Sequence, residues 1–161
     1  MADNRSDRYV QPGWFARHVF NPIVAVLTRA GLSLWGSREL RVRGRTTGEW
    51  RTTPVNLLTI GDQRYLVAPR GHTQWVRNLR QAGRGELRVG RRWERFDATE
   101  LRDAEKPPIL RAYLKRWRAE VGVFFGGVDA TATDEELRRI APDYPAFRIE
   151  VRASAESSDT R

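Results

Sequence analysis

Between Arg45 and Asn78 the chain repeats a few residue types that together can hold an anion beside a flat ring. Arg45-Thr46-Thr47-Gly48 is followed by Arg51-Thr52-Thr53-Pro54-Val55-Asn56, then by Val67-Ala68-Pro69-Arg70-Gly71, then by Thr73-Gln74-Trp75-Val76-Arg77-Asn78. Guanidinium groups offer forked donors to phosphate or carboxylate, and threonine hydroxyls add neutral donors. Thr73 is a good N-cap for a helix in which Trp75, Asn78 and Leu79 share one face at i, i+3 and i+4. The first amides of such a helix have no intrahelical partner and its dipole is positive there, so the loop carrying Arg70 and Gly71 suits an anion. Trp75 supplies an aromatic plane beside it. The residues suggest a large anionic cofactor with a heteroaromatic head.

Each of these residues has a plainer reading. Trp75 can be a helix-packing residue, and Asn78 can bridge local backbone. His72 can meet a phosphate or stand in solvent. Arg51 and Arg70 are the strongest binding candidates, because they occur with threonine and glycine in loops rather than along a helix face.

Charge supports the same region. The formal net charge is +9 over 161 residues, and residues 38–95 alone carry 14 Arg against 5 acidic residues, whereas 1–37 give +2 and 96–161 give −2. A regional excess of this size favours an anionic partner. The chain has no cysteine, which excludes disulfides, thiolate ligands and a cysteine nucleophile and suits a reducing compartment. With His18 and His72 its only histidines, no metal site is expected.

The elements that must position the cradle read as an antiparallel β core with helices attached, in one domain. Leu40 and Val42 alternate with Arg41 and Arg43; turns at 46–48 and 61–63 lead into strands at Trp50–Ile60 and Arg64–Ala68, giving a three-strand meander. After a short helix at 74–81, Glu86–Val89 pairs with Trp93–Leu101 across Gly90-Arg91-Arg92, and five or more strands of this length close into a small barrel. A helix from about Pro108 to Val121 places Ile109, Leu110, Tyr113, Leu114 and Trp117 on one side, as a lid or brace. Thr133-Asp134-Glu135-Glu136 is a capping box opening a helix through Ile140, before a last strand at Ala146–Val151.

The ends differ from this core. Met1–Val10 is polar and lacks the apolar centre of a cleavable signal. Residues 13–35 are apolar-rich but broken by Arg17, Asn21-Pro22 and Arg29, so they read as an amphipathic helix packed on the domain and not as a bilayer span. Peripheral membrane contact through Trp14, Phe15 and Trp35 is the other reading of that stretch. The expected division is a tail and amphipathic helix at 1–37, a barrel domain at 38–152 and a disordered tail at 153–161.

The series Arg-Thr-Thr-Gly, Arg-Thr-Thr-Pro-Val-Asn, Val-Ala-Pro-Arg-Gly and Gln-Trp-Val-Arg-Asn-Leu, in that order, resembles the deazaflavin-dependent nitroreductase family, the Ddn-like branch of the flavin/deazaflavin oxidoreductases. The likeness covers roughly residues 38–105, and Tyr144-Pro-Ala-Phe-Arg-Ile149 is similar to a family ending. The resemblance implies an α+β, mainly β fold: a split β-barrel of FMN-binding type with an N-terminal helix and a C-terminal lid helix. It also implies an oxidoreductase using reduced coenzyme F-420, an 8-hydroxy-5-deazaflavin whose phosphate and oligoglutamate tail are anionic. Carried over residue by residue, the cofactor contacts fall on Arg45, Thr46, Thr47, Arg51, Thr52, Thr53, Pro54, Val55, Asn56, Val67, Ala68, Pro69, Arg70, Gln74, Trp75, Val76, Arg77 and Asn78. Arg70 and Pro69 stand where better-known members have Lys and Ser, which keeps a cation and loses a hydroxyl.

The implied acceptors are quinones, nitroaromatics or activated enones, and Tyr113 is the nearest candidate for a substrate-side tyrosine, its plainer reading being a core or rim aromatic. The implied location is the cytoplasm, or the inner face of the cell membrane if residues 13–35 touch lipid. Two alternatives stay open: a barrel that binds flavin mononucleotide or stores a cofactor without turnover, and a basic nucleic-acid-binding barrel. The strands lack the repeated exposed aromatic platform of the latter, so no nucleic acid is expected.

Overall fold

The structure, a computed structural model, describes residues 36–153; the stretch at 13–35 and the tail from residue 154 lie outside the described residues. Six antiparallel strands close a barrel: β1 (Ser37–Arg43), β2 (Trp50–Ile60), β3 (Gln63–Val67), β4 (Arg84–Val89), β5 (Arg92–Glu100) and β6 (Ala146–Val151), in the spatial order β1-β2-β3-β6-β5-β4. The meander and the β4–β5 hairpin are those expected from the alternation. Both hairpin turns are one residue tighter than expected, because Gln63 pairs with Ile60 and Arg92 with Val89, leaving two-residue loops opened by Gly61 and Gly90, each at φ 60°.

Strand alternation divides the core in two. Leu40, Val42, Leu66, Leu87, Phe96, Phe147 and Ile149 fill the barrel, joined by Val76 and Leu79 of helix α1 (Gln74–Ala82), which plugs one end. Leu58, Val67 and Ala146 point outward instead. They are covered by helix α2 (Lys106–Val121) through Leu110, Tyr113, Leu114 and Trp117, with α3 (Asp134–Ile140) and Tyr144 behind it. The brace role expected for α2 is therefore met, and the five residues read onto one side of it are all buried. The Thr133–Glu136 capping box forms as read, with reciprocal bonds of 3.2 and 2.7 Å.

Two local features aim α2. Its dihedrals break at Trp117 (φ −122°, ψ 22°), kinking the last turn. Trp117 also packs against Gly36, where a Cβ would come within 2.9 Å of its ring. The kinked turn is thereby held beside the start of β1.

The pairing of β2 is the feature that makes a site possible. Its first seven residues, Trp50–Asn56, pair with β1, whereas only Leu57–Ile60 pair with β3. Along Trp50–Asn56 one edge of β2 is thus open. The Leu57 amide donates to Gly36, toward β1, so alternation turns the main chain of Thr52, Pro54 and Asn56 to the open edge. Pro54, which has no N–H to donate, stands at such an edge at no cost in ladder bonds.

Candidate active site

The open edge of β2 forms one wall of a cleft of about 730 Å³. The loop 44–47 and the start of α1 join it at the Arg51 end, Val67, Ser37 and the kinked end of α2 at the Asn56 end, and Ala68–Arg70 lead from the one toward the other. Of the eighteen residues expected to contact a cofactor, sixteen line this cleft. Val76 and Arg77 do not. The Val76 side chain is fully buried in the barrel core, which leaves its main-chain N–H as its possible contribution. Arg77 turns back along the helix, its Nε donating to the His72 carbonyl at 3.2 Å.

The cationic end is preorganised by neutral groups. Gly44 and Glu49 close the loop after β1 with a 2.7 Å main-chain bond, and Gly48 at φ 72° donates to Gly44 at 2.9 Å. Asn78, buried on α1, accepts from the Arg45 main chain at 3.2 Å and from its Nη1 at 2.9 Å, and Gln74 accepts from the same Nη1 at 2.8 Å. Asn78 therefore positions Arg45 without neutralising it, so its bridging role and its place in the site coincide. The Arg51 ion pair with Glu49 is long, 3.6 Å, between side chains more than 60% exposed, and carries little energy.

The helix expected after Thr73 opens there as α1. Thr73 is the N-cap, yet its hydroxyl makes no capping bond. Arg77 is the first residue to donate back, to the Thr73 carbonyl, so the amides of Gln74, Trp75 and Val76 have no intrahelical partner. Among the described residues two buried side-chain oxygens lack a hydrogen bond. Glu39 Oε2 has Arg88 at 3.6 Å; Thr73 Oγ1, on a residue 8% exposed and lining the cleft, has neither bond nor ion pair. An orphaned hydroxyl costs on the order of 1–3 kcal/mol unless a ligand meets it.

Trp75 is half-buried, with its ring 6.0 Å from Phe147, and it also lines the cleft. His72 does not reach the cleft. Its Nε2 meets the Pro142 carbonyl at 3.1 Å and its Nδ1 meets Arg80 at 3.1 Å, an arrangement that makes Nδ1 the acceptor and Nε2 the donor.

Among the described residues the other end of the cleft carries no arginine or lysine in its wall. Tyr113, Glu120, Val121 and Phe124 line it with Asn56. The Asn56 amide hydrogen-bonds both the Tyr113 hydroxyl and the Glu120 carboxyl. Burial pushes the Tyr113 phenol well above its ordinary range, against the weaker opposing bond from Asn56, and the Glu120 charge pushes the same way. Burial likewise raises the Glu120 carboxyl, again against Asn56. Sequence reasoning missed Glu120. Its signal was there: a single carboxylate seven residues beyond Tyr113 and three beyond Trp117, continuing the apolar face of α2.

A closed six-strand antiparallel barrel with helices on its outer wall and a cleft along a half-paired strand defines a split β-barrel of the FMN-binding type. The sequence places the chain further. It belongs to the family described as F420H(2)-dependent quinone reductase, which matches residues 13–133. It is an oxidoreductase, and its cofactor is reduced coenzyme F-420. No curated protein matches the chain. Among solved structures it is similar to an F420-H2 dependent reductase, FDR-A, at 15% identity and a TM-score of 0.50, covering 71% of this chain and 94% of that one. It is similar as well to the Agrobacterium tumefaciens protein Atu2129, of unknown function, at 16% identity and a TM-score of 0.53; 92% of this chain matches 60% of that one. These likenesses are of fold.

The cleft fits the coenzyme on its own geometry. An orphaned hydroxyl and three unpaired amides beside arginines suit its anionic groups, while an unpaired strand edge and Trp75 suit a flat polar ring.

Proposed function

We propose that the protein transfers hydride from reduced coenzyme F-420 to a neutral quinone-type acceptor bound at the uncharged end of the cleft. The observation that carries this reading is the polarity of the cleft along β2. Arg51 and Asn56 are five residues apart, so the strand spans roughly 16 Å from the cationic end to the Tyr113–Glu120 end. Anionic groups belong at the first end, and an acceptor without charge belongs at the second, which among the described residues offers an anion no cation in its wall.

Within this reading Arg45, Arg51, Arg70 and Thr73 hold the phosphate and tail, Trp75 flanks the ring, and the main chain of Thr52 and Asn56 meets its polar edge. When bound, the coenzyme supplies a hydride rather than single electrons. The protein fixes the distance between ring and acceptor and keeps water out. Tyr113, held neutral by burial, can donate a hydrogen bond to an acceptor oxygen as charge develops there. Nitroaromatics and activated enones also develop charge on oxygen and are proposed as secondary acceptors.

Flavin mononucleotide as a cofactor and a non-catalytic storage role are weaker readings, since the family is F-420-dependent. A nucleic-acid role fits less well: the guanidinium of Arg41 lies 4.6 Å from the Trp50 ring and 4.1 Å from the Trp93 ring, so those faces stack on arginine. No helix among the described residues is long and apolar enough to cross a membrane. A cytoplasmic location, or a peripheral one through residues 13–35, is proposed from the sequence of that stretch alone. Fluorescence titration with coenzyme F-420 and with flavin mononucleotide, followed by menadione reduction, tests the reading. Arg70→Ala and Trp75→Ala are expected to weaken deazaflavin binding; unchanged titrations for both would remove the proposed site.

A further inference from the structure

We infer that Glu120 is the general acid of the reaction, giving its carboxyl proton to the acceptor oxygen. This rests on the reading of the cleft just given, with the acceptor at its uncharged end. Reducing a quinone takes two electrons and two hydrogens. Hydride from the coenzyme, whose C–H bond breaks, brings both electrons and one hydrogen, and the second hydrogen must come as a proton. With Glu120 as its source, the carboxyl O–H bond breaks, an O–H bond forms on the acceptor, and the carboxylate left behind is reprotonated by solvent.

Glu120 lines the cleft, so the proton need not travel. Burial favours its protonated form, against the opposing bond from the Asn56 amide. From β2 the facing group is the neutral Asn56 amide; from its own helix it is Tyr113, whose phenol stays protonated in that setting. Among the described residues no arginine or lysine offsets the burial that raises the Glu120 carboxyl. Val121 and Phe124, beside it in the wall, exclude water without competing for the proton. A cleft-lining carboxyl that burial holds above its ordinary value gives up its proton at a higher pH than a free one, which suits a general acid. The kink at Trp117 has a purpose in this account, because it sets the turn that carries Glu120 against the cleft. Tyr113 is then a hydrogen-bonding neighbour and Asn56 a positioning residue linking the two.

Glu120→Gln keeps the shape and the partner of Asn56 and removes the proton. The expected result is coenzyme affinity within about twofold of wild type by fluorescence titration, a turnover of menadione at least about 100-fold lower, and loss of the fall in kcat that wild type shows as pH rises through the carboxyl pKa. A turnover within threefold of wild type, or a pH profile that Glu120→Gln leaves in place, would overturn the assignment. A second measurement needs no turnover. Infrared spectra of the coenzyme-free protein followed across pH are expected to show a protonated-carboxyl band that persists above the ordinary carboxylate range and that Glu120→Gln abolishes, and loss of every such band within that range would also defeat the inference. A wild-type protein that shows the band but reduces no quinone would instead defeat the acceptor reading and leave Glu120 an acid for another oxygen-bearing acceptor.

Discussion

Arginine does two different jobs on the two sides of β1 and β2. On the outer barrel wall Arg41 bonds Glu86 and lies between Trp50 and Trp93, Arg43 covers the other part of Trp50 at 4.0 Å, and Arg88 reaches Glu39. Glu86 is buried and also has Arg95 at 3.4 Å. In the cleft, Arg45 bonds two neutral amides and Arg51 has a long, solvent-screened pair. The outer arginines spend their charge on the fold, whereas Arg45 and Arg51 have no close carboxylate partner to match theirs. A regional net charge of +9 thus overstates the anion site, since part of it is matched across the barrel wall.

The comparison breaks most visibly at Glu86. Glu86→Ala leaves Arg41 and Arg95 without their shared carboxylate, and the expected loss is about 2–3 kcal/mol of stability, moderated by the partial exposure of Arg41 and its two aromatic faces. Chemical denaturation measures it, and coenzyme affinity at a temperature where the variant is folded is expected to be unchanged. Arg51→Ala is the converse. Its stability change is expected below about 0.5 kcal/mol, while its coenzyme Kd rises roughly tenfold or more, the worth of one charge-assisted bond. If Arg51→Ala unfolds the protein, or Glu86→Ala abolishes binding, the division of labour is wrong.

What could be read in the sequence, and what could not, follows the same line. The alternation of Leu40 and Val42 with Arg41 and Arg43, and the Thr133–Glu136 box, are local signals, and both elements form as read. Sixteen of the eighteen cradle residues meet in one cleft because β2 and α1, which carry most of them, are each opened by turns and caps encoded nearby. The two kinds of arginine were not distinguishable: Arg41 finds Glu86 forty-five residues away, and Arg45 finds Asn78 thirty-three residues away. Glu120 was missed for a related reason, since its meaning depends on Asn56 across the cleft and on a kink at Trp117 that has no proline to announce it.

Thr73 sharpens the comparison at smaller scale. Its hydroxyl is buried and unbonded at the helix start, so Thr73→Val, which keeps the shape, is expected to leave the coenzyme-free protein as stable or up to about 1 kcal/mol more stable. Coenzyme binding is expected to weaken severalfold. Stability and affinity moving in opposite directions would mark a group held in strain for a ligand. A loss of both would make Thr73 an ordinary structural residue.

The smallest effect concerns pH. Glu120 has a folded-state pKa above its unfolded one, so the folded protein holds that proton more tightly, and the stability it contributes is present at low pH and lost as pH rises through the raised value. Asp97, bonded to Arg152, and Glu136, bonded to the Thr133 main chain, have lowered values and act oppositely: their contribution is present above the ordinary carboxylate range and lost as pH falls through it. Wild-type stability should therefore fall gently as pH rises above the ordinary carboxylate range, and Glu120→Gln should remove that fall while leaving the acid limb untouched. Denaturant midpoints from acid to neutral pH separate the two. If Glu120→Gln altered the acid limb and not the neutral one, the carboxyl would be charged in the folded state, and the uncharged end of the cleft would be an anionic one.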